Sequence, residues 1–400
     1  MVFITIIESL LLLYFGYVAA YTFIFAVAGL FYKTPSLKSS TGFSKFAVFI
    51  PSYREDAVIL AVAEKALQQT YPKDSYTVIV IADSLQPATL QKLRQLPLKV
   101  LDVKFDVSTK VKSLIAALQQ HDQDDYDYAV ILDADNVMYP DFLEQLNAAH
   151  QLGHKAIQGQ RLPKNKQNEL SFLDGLSEAI NNHVYRQGTV VLGFSSSISG
   201  SGISVDFPVF KNILLNMTAV GGFDREMELL LLQRGISIYY LKTAGVLDEK
   251  VHKEQVFDNQ RRRWISSQYH YLIKYFRPGI LSFFKGDFIY FNSAILRNVQ
   301  LPRLVNIGLL SVLTIALFFL RKYLTFGYEN WLILSGMMVI SLVISIPREY
   351  YTLELLKALL KIPKIFIRMF LLLFKLKGAN KKFIHTPHYN VEVNIENHPK

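Results

Sequence analysis

The chain of 400 residues contains no cysteine, and only 19% of its residues are charged. The missing cysteine excludes disulfide bonds and metal sites built from thiolates. Residues 9–32 carry no charge at all and are long enough to span a bilayer, which takes about 20 apolar residues. This stretch lacks a basic leader and a small-residue cleavage site. It therefore predicts an N-terminal transmembrane anchor (residues 1–32) rather than a signal peptide that is removed.

Two further apolar stretches, residues 304–320 and 331–346, are separated by a short polar turn. They predict a transmembrane hairpin over residues 304–347. Two segments mix apolar and aromatic side chains with charges, which is typical of helices that lie at a membrane surface. These are an interfacial helix at 280–297 and an interfacial or re-entrant helix at 353–377. Residues 378–400 are predicted to be a cytosolic tail.

Lysine and arginine cluster beside the apolar stretches and give the chain a net charge of +10. Because basic residues mark the cytoplasmic side of membrane segments, they place the middle block and the C-terminus in the cytoplasm. This pattern predicts an integral protein of a bacterial-type inner (plasma) membrane. It fits an anionic lipid leaflet and an anionic small substrate, and it argues against nucleic acid as a partner.

Residues 46–275 alternate short β-rich runs with helical stretches, which predicts an α/β domain with a mostly parallel sheet. The expected strands cover residues 47–51, 76–82, 99–103, 128–132, 156–159 and 236–241. Helices are expected at 57–69, 109–120, 169–186 and 255–275. An Arg-Pro-Gly sequence at 277–279 predicts a break after the last of these helices.

The strand at 128–132 ends in an acidic pair, Asp133 and Asp135. Side chains two apart on a strand point to the same side of the sheet, and ligands bind at the C-terminal ends of such strands. Two carboxylates there are suited to a hard divalent cation that also carries phosphate oxygens. Taken alone, the sequence Asp-Ala-Asp-Asn is equally typical of a solvated turn.

Several segments together resemble the membrane-bound branch of glycosyltransferase family 2, which includes cellulose, hyaluronan and chitin synthases and ceramide glucosyltransferase. The most specific is Gln-Arg-Arg-Arg-Trp at 260–264, which is similar to the family's Q-x-x-R-W motif. Asp133 and Asp135 resemble its D-x-D motif. A loop at 51–56, a Lys-Val-Lys helix start at 110–112 and a Ser-Gly-Ser-Gly loop at 199–202 are similar to further family segments. This resemblance implies a GT-A domain, Rossmann-like, over residues 46–275.

The resemblance also implies roles for individual residues. Mg²⁺ or Mn²⁺ is expected at Asp133 and Asp135, where it would make the nucleotide diphosphate a competent leaving group. Guanidinium groups suit a diphosphate, and tryptophan offers a flat face to a sugar ring. The residues implied in binding substrate are Pro51, Tyr53, Glu55, Asp83, Lys110, Asp133, Gly200, Ser201, Gln260, Arg261, Arg263 and Trp264.

The general base is expected in the acidic segment at 221–229, because an attacking hydroxyl needs one carboxylate to take its proton. In the family the base lies eleven residues before a helix-ending glycine, and counting back from Gly235 reaches Asp224. Glu226 is the alternative. Residues 383–388 resemble the gating loop of cellulose synthase, with His388 in place of its lysine, and no role is assigned to His385 or His388.

The resulting hypothesis is a membrane-bound, inverting glycosyltransferase that adds sugar from a UDP-sugar to a growing β-linked polysaccharide. The first alternative is transfer of one sugar to a membrane lipid, because two or three C-terminal spans are few for a channel. The second is a catalytically silent, nucleotide-binding subunit of a polysaccharide secretion complex. A homo-oligomer or a secretion partner is compatible with all three. A two-carboxylate hydrolase fits less well, because it needs no metal-bound diphosphate.

Overall fold

The structure is a computed structural model that describes residues 2–34, 42–165, 168–219, 221–376 and 388. An eight-stranded sheet forms its centre, with the strands in the order β3-β2-β1-β4-β7-β6-β8-β5. The strands are β1 (Phe46–Tyr53), β2 (Tyr76–Asp83), β3 (Lys99–Val103), β4 (Tyr128–Ile131), β5 (Val137–Met138), β6 (Ala156–Pro163), β7 (Ile203–Asp206) and β8 (Ile238–Asp248).

Four of the seven strand pairs are parallel, and the antiparallel pairs all involve the short strands β5 and β7. Because β1 is parallel to both β2 and β4, the three strands end at the same edge of the sheet. Tyr53 lies opposite Asp83 in this register. The acidic residues that follow these strands are therefore brought together.

The sheet is covered on both faces, so its strands appear in the sequence as apolar runs. Alternate residues of β1 enter two different cores, with Phe49 on one face and Val48 and Ile50 on the other. The helices of the domain are α2 (Ile59–Ala66), α3 (Pro87–Leu93), α4 (Lys110–Leu118), α5 (Phe142–Gln151), α6 (Glu169–Asn182), α7 (Thr189–Val191), α8 (Phe207–Leu215), α9 (Phe223–Gln233) and α10 (Glu254–Lys274), preceded in the chain by α1 (Val2–Gly29).

The C-terminal part of the described chain is helical. Its helices are α11 (Phe276–Phe284), α12 (Phe288–Phe291), α13 (Arg297–Val299), α14 (Arg303–Phe319), α15 (Tyr328–Ser345), α16 (Leu353–Leu359) and α17 (Ile362–Leu372). Two helices of the described chain, α1 and α15, are long and apolar enough to cross a membrane. A third span results if α14 is counted with the bent segment at Phe288–Val299, which meets it at 56°.

The break predicted after the helix at 255–275 is confirmed: α10 ends at Lys274 and a separate helix, α11, begins at Phe276, just before residues 277–279. These residues lie in the first turn of α11, where a proline is tolerated because its missing N–H has no partner in the helix. The continuous helix predicted at 280–297 is instead interrupted after α11 at Gly286, whose φ is 77°. The helix predicted at 169–186 ends at Asn182 and continues as a π-helix, His183–Gly188.

The π-helix packs directly on α1, and Gly188 lies at their closest approach. A Cβ atom at this position would overlap the backbone carbonyl of Phe25. We expect Gly188→Ala to destabilise the protein by about 1–3 kcal/mol, the usual cost of overpacking. Thermal unfolding of the purified protein measures this effect. Gly16→Ala is the matched control, because a Cβ at Gly16 in α1 meets nothing within 4 Å. Equal melting temperatures for the two variants would contradict the prediction.

Candidate functional site

A cavity of about 280 Å³ lies where β1, β2 and β4 end. It also receives side chains from α4, α6, α9 and α10. Thirteen of the residues selected from the sequence line it: Pro51, Tyr53, Glu55, Asp83, Lys110, Asp133, Asp135, Gly200, Asp224, Gln260, Arg261, Arg263 and Trp264. The structure thus gathers at one place residues that are up to 213 positions apart, from Pro51 to Trp264.

The turns after β1 and β2 form one part of the cavity wall. Arg54 and Ser84 have φ values of 56° and 58°, and the Arg54 N–H donates to the Asp83 carbonyl oxygen at 3.1 Å. Such backbone strain costs about 1–3 kcal/mol per residue and is concentrated at functional sites. Asp83 is buried; its Oδ1 accepts from the Ser84 hydroxyl, and its Oδ2 has no partner among the described residues.

The acidic pair lies in the turn between β4 and β5. The Lys110 Nζ is 2.5 Å from Asp133 Oδ1 and also donates to the Gly200 carbonyl oxygen. Asp135 Oδ2 accepts from the Glu249 N–H at 3.0 Å. Burial raises the pKa of Asp133, but Lys110 and Arg161 outweigh it, so the pKa stays below its ordinary value.

This donor set fits a hard cation, because both carboxylates border the cavity and Asp133 is held ionised. Within the described ranges, no group of three or more His, Cys, Asp or Glu side chains is suited to a metal. Oxygens of a bound diphosphate would have to complete the coordination.

Ser201 lies behind the cavity wall. Its hydroxyl accepts from the Asp133 N–H at 3.0 Å and donates to Asn136 Oδ1 at 2.5 Å. It is fully buried and does not line the cavity. Its position suits a role in holding the acidic turn rather than in contacting substrate.

Asp224 lies in the first turn of α9, which begins after Gly222 in a left-handed conformation. A Cβ atom on Gly200 would meet the Asp224 carboxyl group at 3.6 Å, so the small-residue loop packs against it. Burial raises the pKa of Asp224 above its ordinary value. Burial lowers the pKa of Arg263, and the negative charges of Asp133 and Asp224 oppose this shift. One guanidinium is thus shared by the acidic turn and the candidate base.

Glu226 lies outside the cavity. Its buried carboxylate pairs with Lys274 and accepts from the Tyr275 hydroxyl at 3.2 Å. It joins α9 to α10. This arrangement favours Asp224 over Glu226 as the candidate base.

The sequence did not single out the part of the cavity formed by α6, β6 and β8. Arg161 on β6 pairs with Asp248 on β8, and the Lys250 Nζ lies 2.9 Å from the same carboxylate. Asp174 on α6 pairs with Arg261. The only signal in the sequence was polarity: Arg161 stands in a strand, and polar residues recur every three or four positions in the helix at 169–186.

His388 borders the cavity as well. Its Nδ1 is 2.9 Å from Glu55 Oε1. Burial lowers the pKa of His388, but Asp135 and Glu55 outweigh it and raise the pKa to about 9. His385 lies outside the described residues.

Comparison with known proteins gives a family and a fold. A sequence model described as "Glycosyltransferase like family 2" matches residues 44–267, which is more than half of the chain. No curated protein matches the sequence. Among solved structures, the mannosyltransferase PcManGT from Pyrobaculum calidifontis, in complex with GDP-Man and Mn²⁺, superposes with a TM-score of 0.56 at 17% identity. The match covers 85% of this chain and 97% of that chain.

Two further solved structures resemble a smaller share of the chain. S. aureus TarS 1-349 with UDP-GlcNAc has a TM-score of 0.40 at 14% identity, covering 52% of this chain and 60% of that chain. Glucosyl-3-phosphoglycerate synthase from Mycobacterium tuberculosis, with Mn²⁺, UDP and glucosyl-3-phosphoglycerate, has a TM-score of 0.38 at 15% identity, covering 56% and 78%. The PcManGT superposition shows a common fold and confirms the predicted α/β GT-A architecture.

The raised pKa of Asp224 has a consequence for stability. A carboxylic acid whose pKa is higher in the folded than in the unfolded state does not change the stability of the protein at pH values below its unfolded pKa. It lowers the stability of the folded protein as the pH rises from the unfolded pKa through the folded pKa. We therefore expect Asp224→Asn to raise the melting temperature at pH 8, and to raise it less at about pH 4, near the ordinary pKa of aspartate. Thermal unfolding at both pH values measures the difference. Asp124→Asn, at an exposed position outside the cavity, is the control. A lower melting temperature for Asp224→Asn at pH 8 would contradict the prediction.

Proposed function

Because the chain belongs to glycosyltransferase family 2, we propose that it transfers one sugar from a UDP-sugar to a lipid of the membrane, with inversion of the anomeric centre. Its class is that of a nucleotide-sugar-dependent glycosyltransferase. The observation that carries the proposal is the cavity that joins Asp83, the acidic pair and Asp224. We also propose that the cavity faces the cytoplasm, as the flanking basic residues predict.

In the proposed step, an acceptor hydroxyl oxygen attacks the anomeric carbon of the donor sugar. The new carbon–oxygen bond forms as the bond to the diphosphate breaks, and the hydroxyl proton passes to Asp224. A single displacement of this kind inverts the anomeric centre. The nucleoside diphosphate leaves with the electron pair. Asp133 and Asp135 would hold Mg²⁺ or Mn²⁺, which when bound neutralises charge on this leaving group.

Other side chains of the cavity are suited to hold the donor. The unpartnered Oδ2 of Asp83 is a fitting acceptor for the uracil or ribose, at the strand end where nucleotides bind in open α/β sheets. Lys110 and Arg263 bring positive charge next to the acidic turn. Both are placed to stabilise diphosphate charge as it develops.

The choice of acceptor rests on how the membrane helices pack. Buried apolar side chains, including Phe15 of α1, Leu310 of α14 and Trp331 of α15, fill the space between the three helices. A polymer needs a continuous polar path between helices, whereas the contact between these three helices is largely apolar. A lipid acceptor needs only access from the bilayer. Extension of a polysaccharide, which the sequence favoured, remains a prediction that would require several subunits to share a channel.

The first test concerns the acidic residues. Asp135→Asn should abolish metal-dependent sugar transfer, and Asp224→Asn should lower kcat by about 10²- to 10⁴-fold, the usual contribution of a general base. Purified protein is assayed with UDP- and GDP-sugars, with Mn²⁺ and after chelation, using membrane lipid extract as acceptor. Asp124→Asn should keep full activity. Unchanged transfer by Asp135→Asn and Asp224→Asn would contradict these roles, and absence of transfer by the unsubstituted protein with every nucleotide sugar would support a catalytically silent, nucleotide-binding subunit.

The second test identifies the product. Radiolabelled sugar should appear in material that dissolves in organic solvent and carries one sugar per lipid, because the contact between α1, α14 and α15 is largely apolar. Size fractionation and mass spectrometry of the labelled product measure this. Labelled material of high molecular mass that resists solvent extraction would contradict the lipid proposal and favour polysaccharide synthesis.

A further inference from the structure

Three polar residues of α6 lie on one face of the helix and line the cavity: Asp174, Ser177 and Asn181. Their spacing of three and four positions places them one above another. We call them the α6 polar stripe. The opposite side of α6 is apolar, and Phe172, Leu176 and Ile180 pack in a cluster with side chains of α1 and α16. The helix therefore separates the cavity from α1 and α16.

Each residue of the stripe has one polar atom bound to an arginine. Arg303, the first residue of α14, donates to Asn181 Oδ1 at 3.0 Å and to the Ser177 Oγ at 2.9 Å. Arg261 of α10 donates to Asp174 Oδ1. A guanidinium group can only donate hydrogen bonds, so it contacts only the acceptor atoms of its partners. Each arginine therefore fixes which atom of its partner is used and which remains open. Within the described chain, the Asn181 amide NH₂, the Ser177 hydroxyl hydrogen and Asp174 Oδ2 are left for a ligand.

This set contains two donors and one acceptor in fixed positions. A hydroxyl group both donates and accepts, so neighbouring hydroxyls match such a mixture. A phosphate, by contrast, accepts only, and the Asp174 carboxylate would repel it. The cationic side chains nearby are already paired, Arg261 with Asp174 and Arg161 with Asp248. Trp264, 44% exposed beside the Arg261 guanidinium at 4.4 Å, adds a flat face of the kind that packs on a sugar ring.

We propose that the α6 polar stripe binds the head of the acceptor, and that this head is an uncharged polyol, a sugar or sugar-like group, carried on a lipid. This inference rests on the proposed function and specifies its acceptor. Arg303 acts as a positioning residue, since it orients Ser177 and Asn181 from the first turn of a membrane helix. A lipid whose head reaches the stripe would keep its chain beside α14, where Val312, Ile315 and Phe319 are exposed.

The test uses three probes with the same ten-carbon chain: n-decyl β-D-glucoside, 1-decanol and decyl phosphate. The full chain is reconstituted in phosphatidylcholine nanodiscs with UDP and Mn²⁺, and binding is followed by tryptophan fluorescence. The sequence has two tryptophans, and Trp331 is fully buried, so the signal of Trp264 reports the cavity. Trp264→Phe measures any background from Trp331.

The glucoside should half-saturate at a concentration at least 10-fold below that of either other probe. Ser177→Ala and Asn181→Ala should each raise this concentration about 5- to 10-fold, the usual effect of one lost hydrogen bond. UDP binding should stay unchanged in both variants, which shows that the cavity is folded. Asn216→Ala, at an exposed position outside the cavity, is the matched control.

Equal binding of the three probes, tightest binding of decyl phosphate, or glucoside binding that ignores both variants would each overturn the inference. The proposed function fails separately. Selective glucoside binding without transfer from any nucleotide sugar would leave the polyol subsite in place and refute the enzymatic step. If Ser177→Ala and Asn181→Ala do not change the rate of sugar transfer to a membrane lipid, the proposed function stands and the polyol subsite is refuted.

Discussion

Pairing of buried charge is the constraint on which the rest of this structure depends. The cavity collects carboxylates from several strand ends, and a buried charge without a partner costs several kcal/mol. The compensating cations come from elements far apart in the chain, Lys110 from α4, Arg161 from β6 and Arg263 from α10. Each ion pair therefore also fixes one element against another. At Asp224 burial outweighs the nearby positive charge, and the pKa rises instead.

The same pairing divides the cavity by chemistry. Around the acidic turn, Lys110 and Arg161 lie close to Asp133 in the cavity wall. A diphosphate and a metal ion bound there would bring charges of both signs, so the cations and the carboxylates would each keep a partner of opposite charge. Along α6, Arg261 is paired with Asp174, and Arg303 donates to Ser177 and Asn181. The polar atoms that these contacts leave open are a mixture of donors and acceptors. One cavity thus combines the ionic acidic turn with the α6 polar stripe, which lies beside the first turn of α14.

The sequence predicted β1, β2 and β4 well, because strands buried on both faces appear as apolar runs that end in polar residues. Asp83, Asp133 and Asp135 were found for the same reason. The α6 stripe could not be found in this way. The interpretation of the stripe depends on Arg303, which follows Ser177 by 126 positions. The sequence pattern indicated Arg303 only as a basic residue that precedes a predicted membrane span. The break expected near Pro278 is present between α10 and α11, and Pro278 lies in the first turn of α11, where a proline is tolerated.

The positions of Asp224 and Glu226 on α9 distinguish two candidate bases that their spacing in the sequence did not separate. Successive residues of an α-helix are rotated by about 100°, so two residues apart they point to nearly opposite sides. Once Asp224 faces the cavity, Glu226 has to face α10, and there it meets Lys274 and Tyr275. The partners of Glu226 satisfy its charge and remove it from proton transfer. Burial without an equal compensation strengthens the proton affinity of Asp224, which is the property that a base needs when it must take a proton from a hydroxyl.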